Sequence, residues 1–182
     1  IKVEGTLTIE FVQDTICQLS VQADSATQEK IQVSVLDDVL SIKLERRISK
    51  GIQCELRGPM FSKLSVSAGS TFRSSDSLSS PALDLTANAG AIINLRGKFG
   101  LVNAELNAGS TLKMEGEGDS IDITANAGST VKMKKFASQK ASVKANSGSE
   151  IAINSVTIEA SASSGAAVPL SLIHISEPTR PY

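Results

Sequence analysis

A six-residue unit centred on one glycine recurs through the second half of the chain, and it restricts the fold more than any other feature. Asn107-Ala108-Gly109-Ser110-Thr111-Leu112 returns almost unchanged as Asn126-Ala127-Gly128-Ser129-Thr130-Val131. Looser copies begin at Ser67, Asn88, Asn146 and Ser163. The glycines stand at 69, 90, 109, 128, 148 and 165, so successive spacings are 21, 19, 19, 20 and 17 residues. Self-similarity near twenty residues, with apolar alternation around one glycine, predicts a solenoid.

Counting from each glycine sorts the chain into columns. Position minus five holds Leu64, Leu85, Ala104, Ile123, Val143 and Ala160, and position minus three holds Val66, Ala87, Leu106, Ala125, Ala145 and Ala162. Position plus three holds Phe72, Ile93, Leu112, Val131, Ile151 and Val168, and plus five holds Ser74, Leu95, Met114, Met133, Ile153 and Leu170. The residues between are polar, so each repeat reads as strand, glycine corner and strand with alternate side chains buried. Stacked rungs place like over like and build a core that no single repeat could bury. The expected fold is an all-β, right-handed parallel β-helix. At its corners the glycine supplies positive φ or close approach, the preceding Ala or Ser fits a crowded turn, and the following Ser and Thr face outward. The column Ser67, Asn88, Asn107, Asn126, Asn146, Ser163 reads as a structural amide stack, with a ligand-reading row as the alternative.

Residues 1–60 form a strand-rich part that packs on or continues the solenoid. Leu7, Ile9 and Phe11 alternate with polar residues, as do Leu40, Ile42 and Leu44. Ala23–Lys30 reads as a polar loop, Asp37-Asp38 as a turn, and Arg46–Gly51 as a charged loop; Gly58-Pro59 stops a strand. The chain opens directly in a strand pattern at Ile1, as a fragment or a mature segment would. Cys17 and Cys54, on the apolar phase of their strands, are expected to be buried free thiols, with a single disulfide as the alternative. No second Cys or His lies at metal-ligand spacing.

The rungs, residues 61–169, break off after Val168-Pro169. Leu170 to Arg180 resembles the translation of a sequencing-library adapter, so residues 170–182 are set apart as a non-native tail. His174 and Tyr182 fall within it, and the native chain is expected to continue with another rung or a cap. Residues 1–169 resemble the auto-transporter adhesin head (GIN) domain family common in Bacteroidota. The likeness is carried by the opening alternating strands, the strand Leu40-Ser41-Ile42-Lys43, the stop at Gly58-Pro59 and the serial small-Gly-small rungs. It implies a β-helical domain of an exported, envelope-associated protein.

The chain carries 18 Lys and Arg against 19 Asp and Glu, with 3% aromatics, and no basic patch interleaved with rings, which leaves nucleic-acid binding without support. No run of eighteen apolar residues marks a membrane span. A carbohydrate-active β-helix enzyme needs converging acids. Asp84 and Asp122 share position minus six with Asn103 between them, which puts the carboxylates about 9.6 Å apart by strand spacing, close to the separation in inverting glycosidases. No native His, sugar-stacking ring or long loop joins them, so they read as outward carboxylates. Asp37-Asp38 and Glu115-Gly116-Glu117-Gly118-Asp119, which reads as a loop, offer acids for calcium but lack a regular calcium pattern. Lys132, Lys134 and Lys135 read as a solubilising, edge-protecting face. The sequence therefore indicates a non-catalytic structural or binding module, without cofactor or metal, facing a protein or polysaccharide partner; a β-helix enzyme and a periplasmic scaffold are the alternatives. Open solenoid ends pair readily, so self-association is expected.

Overall fold

The computed structural model describes residues 1–45 and 51–172 of the 182-residue chain. The chain opens with β1 (Lys2–Glu4), β2 (Leu7–Gln13) and β3 (Gln18–Gln22). Within the expected Ala23–Lys30 loop sits one helical turn, α1 (Ser25–Gln28), whose first N–H groups are capped by the Asp24 carboxylate accepting from the Thr27 N–H. The strands β4 (Ile31–Leu36), β5 (Val39–Leu44), β6 (Ile52–Gly58), β7 (Lys63–Ser67), β8 (Thr71–Ser74) and β9 (Leu78–Ala87) follow. Next, β10 (Ile92–Leu106), β11 (Thr111–Ala125), β12 (Thr130–Ala145) and β13 (Glu150–Ala162) each run from one glycine corner to the next, and β14 (Leu170–Leu172) pairs with β13.

The fold is a parallel β-solenoid. Ile93, Leu112, Val131 and Ile151 stack in register through β10 to β13, and the same strands later stack Leu106, Ala125, Ala145 and Ala162. The apolar columns are buried, as their alternation requires, except in the last rung, where Ala160 and Ala162 are exposed. Burying one Leu, Ile or Val fully is worth about 1.5–3 kcal/mol, and here each rung buries several.

The N-terminal part continues the solenoid, but not in chain order. Val3 lies between Ile42 and Val66, and Ile9 between Cys54 and Phe72. The β1–β2 rung is thus inserted between the β5–β6 rung and the β7–β8 rung. Beyond β5–β6, β4 and β3 pair antiparallel with β5 and β6 and end the stack. Asp37 and Asp38, both at positive φ (48° and 61°), make the two-residue turn of the β4–β5 hairpin.

At each rung corner two successive residues take the left-handed conformation. The Ala or Ser has φ of 51–56° and the Gly 70–75°. The Ala carbonyl accepts from the glycine N–H of the preceding rung, as Ala127 O does from Gly109 N at 3.0 Å. Two sequence expectations fail here. The corner is not crowded: a Cβ on Gly90, Gly109, Gly128 or Gly148 would meet nothing within 4 Å, so φ alone selects glycine. Nor does the serine after it face outward. Ser70, Ser110, Ser129 and Ser149 are buried, and Ser110 and Ser129 turn inward to close the corner by donating to the Asn107 and Asn126 carbonyls at 2.5 and 2.6 Å. Close approach occurs instead at the far bend of the rung, where Gly116 stacks on Gly97.

The expected boundary before Leu170 falls at the last described strand, whose residues Leu170, Ser171 and Leu172 stand opposite Ile153, Asn154 and Ser155. Arg46–Lys50 of the expected charged loop, and His174 and Tyr182, lie outside the described residues.

Candidate functional site

Strand alternation sends every second side chain outward, and parallel stacking lines these up into rows. On the face before the corner, Lys63, Asp84, Asn103, Asp122, Ser142 and Glu159 form one row. Asp84 and Asp122 are two rungs apart, as the repeat predicts, and both are exposed. Asn103 between them donates to the Asp84 carboxylate at 2.9 Å. Its amide thus occupies the space between the acids, and the row lies on an open sheet face.

The neighbouring asparagine row is a hydrogen-bonded ladder. Asn107 Nδ2 donates to Asn88 Oδ1 at 3.1 Å, Asn126 to Asn107 at 3.0 Å, and Asn146 to Asn126 at 3.0 Å. Ser163 ends it by donating to Asn146 Oδ1 at 2.7 Å. Within the ladder each internal amide gives one bond and takes one, and Asn107 also donates to Glu105 Oε1 at 3.1 Å, so this row is the structural stack rather than a row of free groups.

On the face after the corner, charge is concentrated. Arg73, Asn94, Lys113 and Lys132 stand side by side in one outward row, and Arg96, Glu115 and Lys135 in the next. The lysines of β12 cannot protect an edge, because β12 is paired on both sides, with β11 and with β13. Lys113, Glu115, Lys132, Lys134 and Lys135 instead line a groove of about 290 Å³ with Glu150 and Ala152 across from them. Glu115 bonds Lys113 at 3.0 Å and lies 3.8 Å from Lys135. The hydrogen bond and charge of Lys113, then the charges of Lys135 and Arg96, hold its carboxyl below the usual range. Sequence reading saw three of these lysines but not their partners in Arg73, Arg96 and Lys113, which come from other rungs. Tabulating the polar columns at plus four (Arg73, Asn94, Lys113, Lys132) and plus six (Arg96, Glu115, Lys134), beside the apolar ones, would have joined them.

Glu115-Gly116-Glu117-Gly118-Asp119 is not a loop but the middle of β11, with Glu117 ion-paired to Lys98. Among the described residues no three His, Cys, Asp or Glu side chains gather as metal ligands, and no helix is long and apolar enough to cross a membrane. Of the two thiols, Cys54 is buried, and burial pushes it up to about 11. Cys17, expected to be buried, is exposed: it precedes β3, whose outermost position leaves even Leu19 and Val21 only half-covered. Val21, not Cys17, stands opposite Cys54, so both thiols are free.

A family model described as "Putative auto-transporter adhesin, head GIN domain" matches residues 1–171. Among solved structures, the chain is similar to one described as a putative adhesin from Bacteroides fragilis, with 14% identity and a TM-score of 0.75 over 94% of this chain and 88% of that one. A putative adhesin from Parabacteroides merdae aligns with 10% identity and a TM-score of 0.64 over 93% and 90%. A structure described as a putative lipid binding protein from Parabacteroides distasonis aligns with 12% identity and a TM-score of 0.61 over 94% and 90%. At these identities the likeness shows a shared fold. The search of curated proteins finds no match.

Proposed function

The chain belongs to the auto-transporter adhesin head GIN domain family, and from that premise we propose that it is a non-catalytic binding module of an exported bacterial envelope protein, acting in attachment to a polysaccharide or protein partner. The observation that carries this reading is the outward surface of the solenoid. Its side chains repeat at one-rung intervals of about 4.8 Å along the axis, which suits an extended partner touched at many points. The Asp84–Asn103–Asp122 row is not built as a glycosidase pair. Its acids are separated by a hydrogen-bonded amide and lie on an open sheet face, whereas glycoside hydrolysis needs two carboxyl groups flanking one bond.

The test is retention of the purified chain on bacterial cells and on extracted envelope polysaccharide. Saturable retention, unchanged in Asp84→Asn and Asp122→Asn, is expected. Release of shortened glycan, abolished by either substitution, would put an enzyme in place of the binding module. Protease treatment of intact producing cells separates the two envelope locations. A surface module is cut or released, whereas a periplasmic scaffold is spared until the outer membrane is opened.

A further inference from the structure

The geometry points to the groove across β11, β12 and β13 as a binding site for a linear anionic polysaccharide, one carrying carboxylate or sulfate groups. This inference rests on the binding-module reading and gives it a site and a ligand class.

Charge is segregated on this surface. The whole chain is nearly balanced, with a net charge of -1. Yet Arg96, Lys113, Lys132, Lys134 and Lys135 gather around one groove, facing only Glu115 and Glu150. Lys113 stands directly opposite Lys132 on the adjacent strand, an arrangement that is unfavourable unless an anion lies between or over the pair. Glu115 is shared by Lys113 and Lys135, and among the described residues Lys132 and Lys134 form no ion pair.

The backbone marks the same place, independently of charge. β12 carries extra residues where the lysines stand. Lys113 faces Lys132 but Glu115 faces Lys135, a shift of one residue, and between Met133 and Ala137 residues 134–136 have no counterpart in β13. Bulges re-aim side chains and are found beside binding sites. This one is anchored. Phe136 is fully buried and stacks on Phe99 with ring centroids 6.2 Å apart. Its ring occupies the space above Gly118, where a Cβ would lie 2.8 Å from the ring. Lys134 and Lys135 are therefore held on a fixed backbone, which lowers the ordering cost of binding.

The ligand class follows from what surrounds the cations. They follow two rows along the solenoid axis, at rung intervals comparable to the length of one sugar residue. The five phenylalanines are buried or half-buried, so no described ring offers a platform for a neutral sugar or a nucleic-acid base. Charge must supply the recognition. A flat anionic membrane fits less well, because the cations line a groove that a chain can enter and a bilayer surface cannot.

The test uses the full chain with polygalacturonate, neutral dextran and phosphatidylglycerol vesicles. Saturable binding to polygalacturonate that weakens with rising salt, and none to dextran, is expected. Replacing Lys132, Lys134 and Lys135 together by Gln should weaken that binding about ten-fold. Glu115→Gln, which removes the competing carboxylate, should strengthen it several-fold, a gain that misfolding cannot produce. Lys63→Gln with Lys144→Gln, on the other outward face, should leave it unchanged. A triple variant that binds like the parent, or a Glu115→Gln variant with no gain, overturns the assignment. So does binding of the vesicles through the same lysines with no polygalacturonate binding, which would make the site a membrane contact. If polygalacturonate is not bound but retention on cells persists in the triple variant, the ligand assignment falls and the binding module stands. If neither occurs, both fall.

Discussion

Gly116→Ala and Gly128→Ala add the same methyl group in neighbouring rungs, and the structure gives them very different costs. Gly128 is part of the repeat that dominates the sequence. Its φ is 70°, and a Cβ there meets nothing within 4 Å. The substitution costs only the left-handed conformation, about 1–2 kcal/mol. A stiffer unfolded chain returns about 0.4–1 kcal/mol of that. Ala127, next to it, already sits at φ 51°. A net loss of about 1 kcal/mol should lower Tm by about 2–4 °C for a chain of this size. Gly116 lies outside the recurring corner unit, yet its φ is 125° and its Cβ would fall 1.9 Å from the Gly97 carbonyl oxygen. That oxygen belongs to the backbone of the preceding rung. Gly97 is itself pressed against Leu78, whose carbonyl oxygen would lie 2.1 Å from a Cβ on Gly97. Neither rung can yield without opening the parallel ladder, so Gly116→Ala should cost more than about 4 kcal/mol. Urea unfolding followed by far-UV circular dichroism, with midpoints and slopes compared, measures both. Equal, mild losses would refute the close stacking at the far bend, and a severe loss in Gly128→Ala would refute the open corner.

The asparagine ladder predicts a dependence on position. Asn126→Ala removes a bond given to Asn107 and one taken from Asn146, whereas Asn88→Ala removes only the one taken from Asn107. At about 1 kcal/mol per bond, the losses should be about 2 and 1 kcal/mol; equal shifts in thermal midpoint would mean the ladder does not act as drawn. The thiols should separate under a thiol-reactive dye, with Cys17 labelled in the native chain and Cys54 only after denaturation. Labelling of both at once would contradict the burial of Cys54. Because burial raises the Cys54 thiol from 9.0 to about 11, its contribution to stability is complete below pH 9 and is lost as pH rises toward 11, which a pH series of urea midpoints for the parent and Cys54→Ala would register.

The columns that build the core were legible because burial imposes the same demand on every rung, and Leu112 and Val131 answer it with the same kind of side chain. The corner was only half legible. A glycine announces positive φ, but Ala108 and Ala127 give no sign that they share it. Their αL conformation is held by carbonyls bonded to the neighbouring rung, a partner that sequence does not show. The buried corner serines were misread because a hydroxyl looks outward-facing; the signal was that Ser70, Ala91, Ser110 and Ser129 are all small. Least legible was the order of the first rungs. Val3 reaches its place between Ile42 and Val66 through pairings far apart in the chain. Its corner, at Gly5, lacks the Ala-Gly pair of the later ones.

Packing also restricts where a site can arise in such a chain. A residue inside the apolar columns cannot change without disturbing the rungs above and below, so the regular part of the repeat is fixed by packing. Freedom exists where the spacing departs from its period. The step from Gly109 to Gly128 is 19 residues, the next is 20, and the next is 17. In the structure that irregularity is located: one residue enters β12 opposite Lys113 and Glu115, and three of its residues find no partner in β13. An insertion with no other role would be expected to loop outward and carry no anchor. Here Phe136 goes inward, fills the space that Gly118 leaves, and stacks on Phe99. That packing holds Lys134 and Lys135 beside Lys132 at a groove where cations outnumber carboxylates. If the anchor matters, Phe136→Ala should weaken polygalacturonate binding while every lysine remains present. Binding equal to the parent, in a variant that still melts cooperatively, would show that the lysines need no fixed backbone and that the bulge is incidental.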